Sequence, residues 1–249
     1  MKRNKIEHLV VRKIGMAINR YKMIEAGDRV LVAVSGGKDS LVLLKELQER
    51  KKRLPIDYMI KAVHIRTDYD QDQEKKSAKL KRFFKSIGCD YLFRDIAISK
   101  TNKLERQDCF WCSWMRRKML FETADEIGYN KIAFGHHKDD IVETILMNMF
   151  WKGEISSMNP EQKLFGGKIV IIRPLVLLEE KQIESYVKHK RIRAVRSCCP
   201  RNSDSKRALV KDLIIRLEKE AQDVKTNILY APSRIRHEYL TMSKTKNRK

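Results

Sequence analysis

The chain has 249 residues, with 54 Lys and Arg against 32 Asp and Glu, so its formal net charge is +22. Its hydrophobic content of 42% is enough for a large buried core, which argues against a disordered chain and against a fold that depends on disulfides. No segment approaches the ~18 apolar residues of a membrane span, and the N-terminus lacks the apolar stretch of a secretory signal. We therefore expect a cytoplasmic protein without a membrane partner.

The positive charge is concentrated towards the C-terminus. Residues 181–249 carry 19 Lys and Arg against 7 Asp and Glu, a net of +12. The first 180 residues carry 35 against 25, a net of +10. A basic excess of this size favours a polyanionic partner, either nucleic acid or an anionic membrane surface. A Lys-rich solvated surface is the alternative explanation.

The apolar pattern predicts strands that alternate with helices. The predicted elements, in chain order, are helix 6–24, strand 29–34, helix 41–50, strand 60–65, helix 77–88, strand 91–98, helix 115–128, strand 131–135, helix 140–151 and strand 168–172. Such alternation predicts an α/β fold, in which helices cover both faces of a mainly parallel sheet. Ligands of such sheets bind beyond the carboxyl ends of the strands, so the loops after the first, second and fourth predicted strands are the candidate site.

The first of these loops has the composition of a phosphate site. Its glycines allow close backbone approach to an anion, and the helix after it offers free N–H groups and a positive dipole end. It is not a Walker A loop, because Val32 stands where that motif needs Gly and Asp39 follows the lysine directly. The predicted phosphate-binding residues are Ser35, Gly36, Gly37, Lys38, Asp39 and Ser40.

The string SGGKDS over residues 35–40 resembles the pyrophosphate loop of the PP-loop ATP pyrophosphatases. Further matching segments are MIEAGDRV at 23–30, CFWC at 109–112, RR at 116–117, GHHKDDIVET at 135–144 and IRPL at 172–175. Together they are similar to the tRNA 2-thiocytidine synthetase branch of that family, over about residues 10–217.

The resemblance implies an adenine nucleotide alpha hydrolase-like fold in three parts. These are an N-terminal helical segment (1–27), a PP-loop ATPase domain (28–180) and a basic C-terminal helical segment that contacts tRNA (181–249). It also implies an enzyme that adenylates a tRNA base, with the cytidine C2 oxygen as the expected nucleophile, and then replaces oxygen by sulfur. The implied partners are tRNA, a sulfur donor (sulfide or a cysteine desulfurase) and a second copy of the chain.

Two other activities fit the same resemblance. One is a thiolase that acts on a tRNA uridine. That branch carries additional cysteine pairs at its ends, whereas here residues 1–26 and the last 50 residues contain no cysteine. The other is a PP-loop ligase that adds nitrogen, such as a tRNA lysidine synthetase, for which a CxxC pair has no use.

The five cysteines are an odd number in a chain without an export signal, which favours a reducing compartment. The CxxC pair, Cys109 and Cys112, fits a redox dithiol, a zinc site completed by Cys198 and Cys199, or an iron–sulfur cluster with three ligands. The resemblance implies a [4Fe–4S] cluster held by Cys109, Cys112 and Cys199 (or Cys198), whose open iron holds a sulfide. Cys89 is predicted to be an ordinary half-buried thiol.

The resemblance also assigns residues to the nucleotide. It implies that Gly135 and Asp140 lie at the ATP site, with Asp140 also holding Mg²⁺, and that His64 lies on the strand edge that contacts adenine. Arg116 is the implied catalytic cation, and one residue of the pair Arg116-Arg117 is expected to reach the α-phosphate.

Several residues near these motifs are open to two interpretations. The roles of His136 and His137 are left undecided between packing and direct function. Asp140 also fits the first position of a helix capping box, with the acidic residue three positions later. Trp111 and Trp114 flank Cys112 and are predicted to shield a cluster, with stacking on a flipped base as the alternative.

Overall fold

The computed structural model describes residues 2–68, 72–98, 109–195 and 205–239. Within them one sheet has the strand order β3-β2-β1-β4-β6-β5. All neighbouring pairs are parallel except β5 and β6, which are antiparallel. The strands are β1 (Arg29–Ala33), β2 (Met59–Thr67), β3 (Asp90–Ile96), β4 (Lys131–Ala133), β5 (Glu161–Leu164) and β6 (Ile169–Ile172).

Helices connect most of these strands and extend the chain beyond the sheet. They are α1 (Lys2–Arg20), α2 (Lys38–Arg53), α3 (Gln73–Ser86), α4 (Cys109–Glu126), α5 (Lys138–Lys152), α6 (Glu180–Lys190), α7 (Ser205–Glu220) and α8 (Val224–Tyr230). Short 3₁₀ turns cover Phe165–Gly167, Ala231–Ser233 and His237–Tyr239. None of the helices in the described ranges has the length and apolar character that a membrane crossing needs.

Helices cover both faces of the sheet, as the sequence predicts. Successive residues of a strand point to opposite faces, so Val30 and Val32 join the core cluster that includes α1, α2, α5 and α6, whereas Leu31 joins the cluster with α4. The α/β prediction is therefore confirmed.

Helices that do not connect neighbouring strands pack against α2 and α5. Ile14 of α1 and Tyr186 of α6 belong to the same buried cluster as α2. Tyr186 donates a hydrogen bond to the buried carboxylate of Glu46 in α2. Val210 and Ile214 of α7 pack against α5. The three-part division of the chain stays a prediction.

All five helices that the sequence analysis predicts begin earlier in the structure. Helices α1, α2, α3 and α5 begin at Lys2, Lys38, Gln73 and Lys138, and α4 begins at Cys109, so the CxxC pair is helical. The predicted capping box with Asp140 in first position is wrong, because His137 precedes the helix and Asp140 is its third residue. There the Asp140 carboxylate accepts the backbone N–H of His137 at 2.9 Å.

Strand β5 is the one element of the sheet that the sequence analysis missed. Its residues, Glu161–Leu164, are half-buried or exposed and show no apolar alternation. It lies at the sheet edge and pairs with β6 alone.

Candidate active site

The order of the strands creates a crevice at one edge of the sheet. The chain proceeds outward from β1 to β2 and β3 on one side, and from β4 to β6 on the other. A reversal of this kind leaves a ligand-binding crevice beyond the carboxyl ends of the strands. A cavity of about 510 Å³ occupies this position. Its polar wall includes Ser35, Asp39, Ser40, Arg116, Arg117 and Asp140.

The loop between β1 and α2 forms one side of this cavity. Gly36 has a φ of +92°, a conformation that favours glycine, and its carbonyl accepts the backbone N–H of Val195 at 2.8 Å. The hydroxyl of Ser35 accepts the N–H of Gly37 at 3.2 Å and lies 3.3 Å from the hydroxyl of Ser40. The loop is thus held in an open turn between the sheet and the segment after α6 that contains Val195.

Lys38 is turned away from the cavity, although the sequence predicts a phosphate contact for it. Its Nζ lies 2.7 Å from Oε1 of Glu180 and 3.3 Å from Oε1 of Glu184, both in α6. Oε2 of Glu180 also contacts Nζ of Lys211 in α7 at 2.7 Å. Burial would raise the pKa of Glu180, but its hydrogen bonds with the two lysines lower it to about 2. Lys38 is therefore half of an ion pair that ties the loop to the C-terminal helices.

Asp39 is the buried acid of the cavity wall. Burial raises the pKa of its carboxyl group, and the neighbouring Asp140 contributes in the same direction. Among the described residues, Oδ1 of Asp39 has no hydrogen-bond partner. A buried oxygen without a partner is costly, so this carboxylate suits a ligand that brings a proton or a metal ion.

Gly135 allows the loop after β4 to approach α2. A Cβ at this position would lie 3.0 Å from the backbone nitrogen of Ser40 and 3.1 Å from the carbonyl carbon of Asp39. The absence of a side chain therefore brings the two loops together, and Gly135 itself lines the cavity.

The two histidines after Gly135 have different surroundings. His136 lines the cavity, stacks on Phe134 at 5.5 Å between ring centroids, and accepts a hydrogen bond from Nε of Arg173 at Nδ1 (3.4 Å). Burial lowers the pKa of His136 to about 4. His137 is buried beneath the loop; burial alone would lower its pKa, but the surrounding carboxylates, Asp139 among them, raise it.

Asp139 and Asp140 are adjacent in the sequence, but their carboxylates face different surroundings. Asp140 lines the cavity. Asp139 instead accepts the backbone N–H of Glu180 at 2.8 Å and pairs with Nζ of Lys225 in α8 at 2.7 Å. Burial opposes ionisation, but hydrogen bonds from His137 and Lys225 hold the pKa of Asp139 well below its usual range.

Two arginines bring positive charge to the cavity from α4. Arg116 is half-buried, and its Nη2 donates to the hydroxyl of Thr67 at 3.3 Å. Its Nε is buried and has no partner within the described part of the chain. Arg117 is exposed at the cavity rim. The pair therefore presents donors where a phosphate would lie between α4 and the loop.

The site thus has a glycine-rich loop between a central strand and a helix, at a switch in strand order. The comparison with known sequences agrees with this architecture. Residues 6–218 match the model of a family described as the PP-loop domain. The chain belongs to the PP-loop family.

Curated relatives of this PP-loop protein include two tRNA-cytidine(32) 2-sulfurtransferases. That of Polynucleobacter asymbioticus is 39% identical over 74% of this chain and 61% of its own length. That of Ralstonia nicotianae is 35% identical over 92% of this chain and 74% of its own length. The chain thus spans about three fifths of the length of the first of these relatives.

Among solved structures, the PP-loop protein resembles the U34-tRNA thiolase NcsA from Methanococcus maripaludis, which was determined with its [4Fe–4S] cluster. The TM-score is 0.77 and the sequence identity 22%, with 96% of this chain and 81% of that chain covered. This similarity supports the fold.

Cys112 connects the PP-loop cavity with the predicted cluster site. It lines the cavity beside Ser113 and Arg116. Cys109 is the first residue of α4, one turn earlier, and its side chain lies outside the described part. Cys198 and Cys199 also lie outside the described residues. Cys89 is buried far from this wall, and burial raises the pKa of its thiol to about 11.

His64 does not line the cavity, although the sequence analysis places it at the nucleotide. Its Nδ1 lies 2.6 Å from the carbonyl oxygen of Val34, and its ring packs edge-on against Phe93. The alternate residues of β2, Val63 and Ile65, line the cavity instead. A base in this part of the cavity would contact their aliphatic side chains.

Sequence reasoning missed the partners of the loop. Glu180 lies 142 residues from Lys38, and no local pattern connects them. One available signal was the pair Glu179-Glu180 at the start of a helix directly after the apolar run that ends at Leu178. The second missed contact is that of Val195 with Gly36, a backbone bond that side-chain patterns do not encode.

Proposed function

We propose that this chain is an ATP-dependent tRNA sulfurtransferase that adenylates a cytidine at its C2 oxygen and replaces that oxygen by sulfur. One observation carries the proposal: a single cavity is lined by the phosphate loop, by Arg116 and by the thiol-bearing Cys112. A nucleotide, a nucleic-acid base and a sulfur site would therefore meet within about 510 Å³. The names of the curated relatives support cytidine as the base.

ATP is proposed to bind with its phosphates at the first turn of α2. The helix dipole and the N–H groups after Gly37 favour an anion there. Arg116 would face the α-phosphate, because its buried Nε has no described partner and it lines the same wall. As the C2 oxygen attacks, negative charge grows on the phosphate oxygens, and a fixed guanidinium stabilises that charge. Pyrophosphate is the leaving group, and the loop would hold it.

Two carboxylates of the cavity wall are the proposed ligands of Mg²⁺. Asp39 offers a buried oxygen without a described partner, and Asp140 faces the same space. Carboxylate oxygens together with phosphate oxygens are the donors that Mg²⁺ prefers. Asp39 and Asp140 are thus the residues that would hold the ion, and the ion would offset the charge of the phosphates.

A [4Fe–4S] cluster is proposed to bind beside the cavity wall that Cys112 lines. Cys109, the second proposed ligand, begins α4 three residues earlier. The third proposed ligand is Cys199 or Cys198. Cys198 and Cys199 follow Val195 by three and four residues, so a fully extended chain would carry them at most about 14 Å from it. The N–H of Val195 is bonded to Gly36 of the phosphate loop. When bound, such a cluster would supply sulfur to the adenylated base.

The substrate is proposed to be tRNA, held by the basic C-terminal segment with its net charge of +12. Sulfide or a cysteine desulfurase is the proposed donor, a homodimer the proposed assembly and the cytoplasm the proposed compartment. A PP-loop ligase that adds nitrogen is disfavoured, because it would have no use for a cysteine on the cavity wall.

The test uses the full chain purified without oxygen, with unmodified tRNA transcript, ATP, Mg²⁺ and sulfide. We expect pyrophosphate release that depends on tRNA, and 2-thiocytidine detected by mass spectrometry of the digested tRNA. Cys112→Ala should abolish thiolation and the iron–sulfur absorbance, whereas the buried Cys89→Ala should change neither. Thiolation that persists in Cys112→Ala, or the absence of any thionucleoside with the wild type, would refute the proposal.

A further inference from the structure

Helix α4 carries a stacked aromatic pair on the side that faces away from the cavity. The rings of Trp111 and Trp114 are stacked, with centroids 4.9 Å apart and planes 15° from parallel. Trp114 remains 44% exposed. Residues three apart share one side of a helix, so the two indoles stack on each other there, and a further ring can extend the stack at an outer face. An exposed aromatic surface of this kind indicates a binding site for a partner with flat apolar groups.

The surroundings of this pair are basic. Nζ of Lys118 lies 5.8 Å from the centroid of the Trp114 ring and 3.6 Å from the carboxylate of Glu122. Arg117 is exposed and also lines the cavity. The partner is therefore expected to combine flat rings with negative charge, which is the combination that unpaired nucleotides offer.

The pair also has a defined position relative to the proposed reaction. Cys112, which lies between the two tryptophans in the sequence, lines the cavity together with Arg116. A helix with its side chains is about 10 Å across, so the indoles lie about one helix width from the cavity wall, on the other side of α4. A strand whose target base enters the cavity can thus reach the indole pair with a nucleotide close to that base.

We infer that Trp111 and Trp114 form a stacking platform for an unpaired nucleobase next to the target nucleotide of an RNA strand. The inference rests on the proposed function and deepens it. It states that the enzyme binds a single-stranded stretch of its substrate by stacking, in addition to the phosphate contacts of the basic segment. Single-stranded RNA is recognised in this way because its unstacked bases can lie on aromatic side chains.

The chain contains a matched control for this platform. Trp151 in α5 is 41% exposed, and Nζ of Lys206 lies 5.7 Å from its ring centroid. Its aromatic neighbour Phe150 meets it edge-on, at 72°. Trp151 is also eleven residues beyond Asp140, or about 16 Å along the helix from the cavity. Like Trp114, it is exposed and has a lysine near its ring. Unlike Trp114, it has no parallel stacking partner and lies farther from the cavity.

The experiment measures binding of unmodified tRNA transcript and of a short single-stranded oligoribonucleotide by the full chain at several salt concentrations. Trp114→Ala should weaken both affinities by about 10-fold, because one base–aromatic stack is lost. The slope of affinity against salt should stay unchanged, since no charge is removed. Trp114→Phe should keep most of the affinity, and Trp151→Ala should bind like the wild type.

Wild-type affinity in Trp114→Ala would overturn the inference, as would an equal loss in Trp151→Ala. Normal RNA binding by Trp114→Ala, combined with lost turnover only when a protein supplies the sulfur, would assign the platform to a protein partner and also overturn it. Failure of the proposed function looks different, because the wild type itself would then bind no tRNA and release no pyrophosphate with it. If the wild type does both, only the platform is under test.

Discussion

Adjacent charged residues at the start of two helices of this protein face in different directions. At the start of α2, Asp39 lines the cavity and Lys38 pairs with Glu180 of α6. At the start of α5, Asp140 lines the cavity and Asp139 pairs with Lys225 of α8. Each motif thus contributes one residue to the site and one to the attachment of the C-terminal helices.

Both divisions have the same geometric cause. Each charged pair lies in the first turn of a helix, where successive side chains diverge by about 100°. We refer to the inward residues Asp39, Arg116 and Asp140 as the cavity set. The outward residues form the clamp, which comprises Lys38, Asp139, Glu180, Lys211 and Lys225.

The two groups differ in how their charges are satisfied. Asp39 and Arg116 each keep a buried polar atom without a described partner. Clamp residues contact opposite charges at 2.7 Å, as in the pairs Lys38–Glu180 and Lys225–Asp139. Unsatisfied atoms suit residues that await a ligand, and satisfied ones suit residues that hold the structure. Mutations in the clamp should therefore affect stability first, and mutations in the cavity set should affect the reaction first.

The largest effect is expected for Asp139→Ala. The substitution leaves the largely buried Lys225 without its Asp139 contact and removes the acceptor for the N–H of Glu180. Breaking a buried ion pair on one side costs about 3–5 kcal/mol of the free energy of unfolding. Lys225 keeps its contact with Glu218 at 2.9 Å, so the expected loss is about 3 kcal/mol. Urea denaturation would measure the loss. A smaller loss than in Asp140→Ala would contradict the assignment of Asp139 to the clamp.

Arg116→Ala should show the opposite pattern. Loss of one charge-stabilising donor at the reacting phosphate is expected to slow tRNA-dependent pyrophosphate release by about 10²–10³-fold. The free energy of unfolding should change little, because the described hydrogen bond of Arg116 is a single contact with Thr67 at 3.3 Å. Arg94→Ala is the control, since that arginine pairs with Glu126 of α4 at 2.7 Å. Equal rates of pyrophosphate release in Arg116→Ala and Arg94→Ala would show that Arg116 does not act at the reacting phosphate.

The cavity set was largely predictable from the sequence, and the clamp was not. Asp39 and Asp140 belong to short motifs that follow predicted strands, and strand order brings such ends together. Arg116 lies on a predicted helix, and the family resemblance assigns it to the phosphate. Clamp contacts join residues that are far apart in sequence, such as Lys38 and Glu180, and they depend on how α6 and α8 pack. The motif sequence also does not show which of Asp139 and Asp140 lines the cavity, because the direction of each side chain depends on the exact start of α5.

Helix starts were the second limit of the sequence analysis. Residues 109–114 have no apolar periodicity that separates a helix from a loop, so α4 was predicted to begin six residues late. That error hid the relation between Trp111 and Trp114, which are stacked only because they are three positions apart on one helix.

Glu180→Gln tests the clamp through its pH dependence. The folded pKa of Glu180 is lowered to about 2 from 4.5, so its contribution to stability is fully present above pH 4.5 and is lost as the pH falls towards 2. Because the carboxylate is partly exposed, the expected loss at pH 7 is about 1 kcal/mol. The difference between the wild type and the variant, measured by denaturation at several pH values, should shrink in that window.

Glu184→Gln is the matched control for this variant. Glu184 contacts the same Lys38 at 3.3 Å but is about half exposed, so its loss should cost less at every pH. A constant difference between wild type and Glu180→Gln from pH 7 to pH 2 would show that Glu180 does not stabilise the clamp as a carboxylate.

The smallest effect is expected for Arg193→Gln. Arg193 is exposed two residues before Val195, whose N–H is bonded to Gly36 of the phosphate loop, so it lies in the basic segment close to the site. If it contacts a tRNA phosphate, its loss should weaken tRNA binding and reduce the slope of log affinity against log salt by about 1. Neither ATP binding nor stability should change, because Arg193 belongs to neither group.

Lys85→Gln removes the same charge from the exposed end of α3, outside the C-terminal segment, and should leave the salt slope unchanged. An equal change in both variants would mean that tRNA responds to the net charge of +22 rather than to a defined surface. A fall in ATP affinity in Arg193→Gln would instead mean that the basic segment contributes to the nucleotide site. The nucleotide site and the basic C-terminal segment would then not act independently. The hydrogen bond between Val195 and Gly36 is the contact through which they would be coupled.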